Sequence, residues 1–272
     1  MSPALSRLCI HTITTKPWSI KQAAAEYQTR GIRHITVWRD AMNELGPVGS
    51  RQLLKDHGLS VTSLCRGGFF PSADAHKRRA ALDDNRQMID EAHELGAPLI
   101  VLVCGAEIGL PLAEARKQIA DGIAAVLPHA LAAGVTLAIE PLHPMYADTR
   151  SAVNTVGQSN DIIEQLGKPS NLGIALDVYH VWWDSQLEAE IARAGRSIRA
   201  FHVCDWRSPT RDILNDRAVM GTGCIPIKQI RSWVETAGFS GAIEVEIFST
   251  ELWAKPQGQV LDEIVKAYAE HV

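Results

Sequence analysis

Residues 99–140 read LIVLVCGAEIGLPLAEARKQIADGIAAVLPHALAAGVTLAIE, and this stretch decides the fold. It opens on Leu99–Cys104, a short apolar run. An amphipathic helical segment follows over Leu112–Ala133 and closes at Gly134. A second apolar run, Thr136–Glu140, completes the unit. Strand, helix with a glycine stop, and strand again is the pattern of a βαβ unit, whose parallel strands are covered on both faces. Pro128 inside the helical segment predicts a kink there.

The same unit recurs on either side. Apolar, β-rich runs lie at Leu8–Ile13, His34–Trp38, Ser60–Cys65, Gly173–Asp177, Ala200–Cys204 and Ala242–Phe248. Helical segments follow at Ser19–Arg30, Ser50–His57, Ala75–Leu95, Ser159–Leu166, Gln186–Ala194, Ile227–Ala237 and Gln259–His271, most of them ending at a glycine. Eight such units in 272 residues predict an α/β chain forming a single (β/α)₈ TIM barrel, one catalytic domain over 1–272, rather than an open doubly wound sheet. No Gly-x-Gly-x-x-Gly follows the first run, which argues against dinucleotide binding.

Composition narrows the function. The net charge is −4, from 27 basic and 31 acidic residues, so there is no basic footprint for nucleic acid and no polybasic membrane patch. The apolar runs are far shorter than the roughly 20 residues of a membrane span. Met1–Ile10 lacks the apolar core of a secretory leader. The five cysteines include no Cys-x-x-Cys pair; Cys9, Cys65, Cys104 and Cys204 sit inside the apolar runs and read as small core residues in a reducing cytoplasm.

In a barrel of this kind the chemistry stands at the C-terminal ends of the strands. The fifth run ends in Glu140, the sixth in Asp177 with His180 three residues on. The seventh carries His202 and Asp205, and the eighth Glu244 and Glu246. Carboxylates inside apolar strands are costly unless they meet a cation or a partner. Taken singly, each has a salt bridge to an arginine as its plain explanation. Four at matching strand ends read as a ring of ligands. Three carboxylates and an imidazole favour Mn²⁺, Mg²⁺ or Co²⁺ over the thiolate-rich sites of structural zinc. Glu244 shares a strand face with Glu246 and is expected deeper in the barrel, paired with a basic residue, and not a ligand.

The set Glu140, Asp177-x-x-His180, His202 and Glu246 resembles the xylose-isomerase-like barrel superfamily, within it the sugar isomerase/epimerase group that includes ketose 3-epimerases and inosose-processing enzymes. The resemblance covers nearly the whole chain. It implies one divalent metal ion, Mn²⁺ first and Zn²⁺ last, held by Glu140, Asp177, His202 and Glu246, with Glu140 and Glu246 also serving as acid and base. It implies substrate contact by His180 and by an arginine upstream of a Gly-x-Gly. Gly221-Thr222-Gly223 matches the glycines, which makes Arg217 the preferred residue, with Arg207 and Arg211 as alternatives. It also implies a homo-oligomer, or association with a small partner subunit.

Other residues are candidates with competing explanations. Asp205 is expected to orient a ligand or bind a sugar hydroxyl, and His143 either reaches substrate or has no role. Trp38, Trp182, Trp183, Trp206 and Trp253 fall just past strand ends, where aromatic faces suit a sugar or aryl group or serve loop packing. Trp38 and Trp206 are the preferred substrate contacts. Arg66-Gly67-Gly68-Phe69-Phe70 reads as a close-approach turn beside an apolar wall, with anion binding a weaker reading. No clear phosphate loop is present.

These residues imply proton abstraction next to a carbonyl through an enediolate, as in a sugar isomerase or epimerase. The resemblance leaves open a lyase cleaving 3-keto-glycosides by elimination, which shares the first proton transfer, and a non-catalytic sugar-binding or partner subunit. An endonuclease of the same superfamily would need further histidine ligands on the early strands, and Cys65-Arg66 and Cys104-Gly105 stand there instead.

Overall fold

Eight parallel strands close on themselves in the order β1-β10-β7-β6-β5-β4-β3-β2. They are β1 (Leu8–His11), β2 (His34–Trp38), β3 (Ser60–Gly68), β4 (Leu99–Val103), β5 (Thr136–Glu140), β6 (Leu172–Asp177), β7 (Ile198–Val203) and β10 (Ile243–Val245). Two short strands, β8 (Asp205–Trp206) and β9 (Arg217–Ala218), pair antiparallel outside the barrel. The computed structural model describes residues 5–272, so the first four positions of the Met1–Ile10 stretch lie outside it.

The helices are α1 (Ile20–Thr29), α2 (Gly46–Asp56), α3 (Ala75–Leu95), α4 (Leu112–Ala132), α5 (Val156–Gln165), α6 (Val178–Val181), α7 (Leu187–Ala194), α8 (Ile227–Thr236), α9 (Thr250–Trp253) and α10 (Gln257–His271). α1 starts where Ser19 and Gln22 form a reciprocal capping box, which satisfies two otherwise free backbone amides. α5 starts three residues earlier than the apolar pattern predicts, because the Thr155 hydroxyl accepts from the Gln158 amide at 3.1 Å. α4 runs unbroken through Pro128 to Ala132. Among the described residues no helix is long and apolar enough to cross a membrane.

Side chains two apart on a strand share a face, and the chain uses this to separate two cores. Outward-facing Leu137, Ile139, Ile174, Leu176, Phe201 and Val203 pack under the helices in the main apolar layer. The inward-facing positions are smaller. Ala138, Ala175 and Ala200 join Cys65, Leu99 and Val101 in the middle of the barrel. One step above those alanines on the same faces stand Glu140, Asp177 and His202, so the floor of small residues sits directly beneath the polar ring.

Strand ends differ from the sequence pattern in two instructive places. β1 stops at His11 rather than Ile13, which puts His11 at the rim. β3 runs on to Gly68, with a register shift against β4 between Cys65 and Gly67, so Arg66 is the unpaired extra residue of a bulge.

Candidate active site

Glu140 and Asp177 are the last residues of β5 and β6, His202 is the penultimate residue of β7, and Glu246 follows β10. These four strands are neighbours, and one ligand-type atom from each residue lies within 4.8 Å of the other three. All four side chains are buried. Glu140 Oε1 and His202 Nδ1 approach to 3.2 Å, yet neither atom, nor His202 Nε2, has an aligned hydrogen-bond partner. Buried polar atoms left in this state are costly. Three carboxylates and an imidazole converging with spare lone pairs fit a divalent cation. The electrostatics agree. Burial, Glu246 and Glu140 push Asp177 up to about 7, against the pull of Arg217. Carboxylates crowded in a dry chamber resist ionising together, and a cation relieves that.

Below this ring Glu244 is fully buried, as its position two residues from Glu246 predicts. Its Oε2 accepts from Thr36 Oγ1, from Ser63 Oγ at 3.2 Å and from His11 Nε2 at 3.1 Å. His11 turns its other nitrogen to Glu246 Oε1 at 3.0 Å and lies edge-on to His202 with ring centroids 4.7 Å apart. Burial opposes a charge on His11, but Glu246 and Glu244 outweigh it and raise the imidazole to about 9. His11 therefore links Glu244 on β10 to Glu246 just past its end. The sequence reading missed it because the apolar run continues through Ile13; strand-end position was the signal that would have found it.

Arg217 enters from the loop after β7. The β8–β9 ladder turns that loop back onto the barrel, and the Arg217 amide donates to the Phe248 carbonyl at 2.9 Å. Its guanidinium is buried, with Nη1 2.8 Å from Asp177 Oδ2 and 2.9 Å from Glu246 Oε2. Nη2 donates to His180 Nε2 at 3.1 Å, which assigns the imidazole proton to Nδ1. Burial and then Arg217 hold His180 well below the ordinary histidine value, so it stays neutral. For Glu246, burial opposes the charge, while Arg217 and His11 outweigh it and keep the carboxylate ionised. The structure thus gives Arg217 a different partner set from the sugar oxygens expected of it: its hydrogen bonds go to the carboxylates and to His180. Arg207 and Arg211 both pair with buried Asp216 and with Glu251, and neither reaches the ring.

A cavity of about 20 Å³ opens above the ring, lined among others by Trp38, Arg66, Tyr146, Arg150, His180 and Leu214. Trp38 therefore stands where a substrate contact was expected. Trp206 does not. It stacks on Tyr179 at 4.7 Å, packs against Trp182 and His143, and is not among the residues lining that cavity. His143 is spent locally, its Nδ1 accepting from the Met145 amide at 3.2 Å. The Asp205 carboxylate accepts from the backbone amides of Trp206, Gly221, Gly223 and Ile225 at 2.9–3.0 Å. It folds the loop that delivers Arg217.

The family model described as xylose isomerase-like TIM barrel matches residues 22–270. The crystal structure of protein SMc04130 from Sinorhizobium meliloti 1021 superposes with a TM-score of 0.94 at 48% identity, covering 98% of each chain. The inosose isomerase of Halalkalibacterium halodurans is 27% identical over 190 residues, which is 68% of this chain and 65% of that protein's length. An IolI protein solved with a bound zinc atom shares the fold, with a TM-score of 0.84 at 22% identity and 97% coverage of each chain. The chain belongs to the xylose isomerase-like TIM barrel family.

Proposed function

We propose that this chain is a divalent-metal-dependent sugar isomerase or epimerase, shifting a proton next to a carbonyl, with Glu140 and Glu246 as its acid–base pair. The observation that carries this reading is the convergence of Glu140, Asp177, His202 and Glu246, with ligand atoms inside 4.8 Å, on the catalytic face of the barrel. Similarity to an inosose isomerase supports a cyclic or open-chain keto sugar as the substrate class.

Glu140, Asp177, His202 and Glu246 would hold the cation, which when bound polarises the substrate carbonyl and stabilises the negative charge developing on its oxygen. The remaining steps belong to side chains. Glu246 stays ionised between Arg217 and His11, as a general base must. Glu140 stands on β5, at the far end of the four-strand arc from Glu246, and returns the proton from that side. Asp177 and Glu246 share the charge of Arg217, which keeps both carboxylates in register. Trp38 and the aromatic wall of Phe248 exclude water from the reacting carbon. The zinc in the IolI structure makes zinc a contender beside Mn²⁺ and Co²⁺ in this reading.

The test is deuterium uptake from D₂O into inososes and free ketoses, with chelated protein reloaded with Mn²⁺, Co²⁺ or Zn²⁺. Uptake at one carbon, lost on chelation and regained with a metal, supports the proposal. Full exchange after verified metal removal refutes the metal role. Release of an aglycone from 3-keto-glycosides without exchange into free sugars replaces isomerisation by elimination.

A further inference from the structure

Two arginines at the mouth, Arg66 and Arg150, have no partner of opposite charge among the described residues. Among the described residues Arg30, Arg39 and Arg217 reach carboxylates, and the half-buried Arg78 and Arg116 donate to backbone carbonyls instead. Arg66 and Arg150 line the same cavity above the metal-ligand ring, and among the described residues neither side chain has a hydrogen-bond acceptor or a carboxylate within ion-pair distance. Their planes are nevertheless held. The Arg66 guanidinium lies over Trp38 and Phe69, 5.5 and 5.0 Å from the ring centroids, and that of Arg150 lies over Tyr146 at 5.4 Å. Stacking occupies the faces and leaves the N–H edges unspent.

The backbone fixes both residues. Arg66 is the extra residue of the β3 bulge, a device that re-aims one side chain at a sheet rim. The residues after it are clamped on β4, with the Phe69 amide donating to Val103 at 2.9 Å and the Phe70 amide to Cys104 at 3.0 Å. The Arg150 carbonyl accepts from Gly105 at 3.0 Å, just past the end of the same strand. Two cations are thus brought to one opening and held there. Burial and the neighbouring Arg150 charge both disfavour the cation on Arg66. Keeping like charges together in a half-buried place costs stability, and an anion bound between them offsets that cost.

We propose that Arg66 and Arg150 form an oxyanion-binding subsite, and that the sugar turned over by the acid–base pair carries a carboxylate or phosphate group. This rests on the isomerase reading and narrows its substrate class from neutral sugars to acidic ones. Planar guanidinium forks suit the paired oxygens of either group. The absence of a glycine-rich phosphate loop is no obstacle, because side chains supply the donors.

The experiment is calorimetric titration of metal-free protein with inorganic phosphate, D-gluconate and neutral D-fructose, repeated on Arg66→Gln, Arg150→Gln and Arg66→Lys. In metal-free protein no divalent cation draws an anion to the ring, and dependence of the affinity on Arg66 and Arg150 places the binding at the mouth. The proposal expects one anion to bind to the wild type and to weaken by about tenfold or more in each glutamine variant, the size expected when a charge-assisted hydrogen bond is lost. Arg66→Lys, which keeps the charge, should retain part of the affinity, and D-fructose should not respond to any variant. The tighter of the two anions identifies the group. No anion binding to wild type, or equal binding to the glutamine variants, overturns the subsite. Deuterium exchange on the neutral ketoses reports separately on the isomerase reading. Exchange without anion binding keeps the enzyme and removes the subsite; anion binding without exchange on any acidic or neutral sugar does the reverse.

Discussion

Arg217 and Asp177 meet at 2.8 Å at the C-terminal end of the barrel strands, both buried, although 40 residues separate them in the chain. The same guanidinium nitrogen reaches Glu246 at 2.9 Å, so one cation from a loop holds two carboxylates from strands. Removing one partner of a buried pair strands the other charge.

Arg217→Gln is therefore expected to destabilise the metal-free protein by about 3–5 kcal/mol, the usual cost of breaking a buried pair. A divalent cation would compensate the stranded carboxylates. Thermal melting with and without Mn²⁺ checks this: the metal should raise the melting temperature of the variant more than that of the wild type. Equal metal-induced shifts would refute the shared-charge role.

Glu246→Gln and Glu140→Gln should each lower solvent proton exchange by about 10²–10⁴-fold, the range for losing a general acid or base. Circular dichroism should show the barrel retained. Wild-type exchange rates in either variant would remove that residue from the acid–base assignment.

The loop that carries Arg217 should loosen in acid. The Arg211 side chain beside Asp216 holds its carboxyl below the ordinary carboxylate value, with burial opposing. Because the folded value lies below the unfolded one, the stabilisation is complete above the unfolded value and is lost as pH falls through the folded one. The melting difference between wild type and Asp216→Asn should be largest above about pH 5 and shrink toward about pH 3. A difference that stays constant across this window would mean that the ionised carboxylate contributes nothing.

Gly68 closes the segment that positions Arg66. Its φ is +107°, and a Cβ there would sit 2.1 Å from the Val103 carbonyl oxygen. Gly134, past the end of α4, also has a positive φ of +71° but open space around it. Gly134→Ala should cost about 1 kcal/mol from backbone conformation alone. Gly68→Ala adds a clash with a strand and should cost about 2–3 kcal/mol or more. Denaturant unfolding of the two variants separates the terms; similar losses would show that the β3 tail can move away from β4.

Much of this was legible in the chain. Glu140 and Asp177 close apolar runs, so their placement at the rim follows from parallel strands and the period of two. The same period puts Glu244 beneath Glu246. What escaped depends on irregularity or on distance. His11 is hidden because Thr12 and Ile13 extend the apolar run past the true strand end. Arg66 shows in the sequence as the start of a glycine turn with anion binding as its weaker reading, while the bulge that aims it depends on the register against β4. Arg217 was chosen for its neighbouring glycines, but its partners lie 40 and 29 residues away and emerge only when the loop folds back. Asp205 looks like a site residue in sequence because it follows His202 closely; its four backbone amide partners are invisible in sequence.

The alanines beneath the ring act as a depth stop. With Ala138, Ala175 and Ala200 at the barrel axis, β5, β6 and β7 stay close enough for Glu140, Asp177 and His202 to converge, and nothing larger props them apart. A methyl-sized floor also sets how far down any guest can sink. A bulkier residue at Ala175 would leave every polar group of the ring in the sequence and still spoil its spacing. Fitness for chemistry in this barrel is therefore written partly in its least reactive side chains.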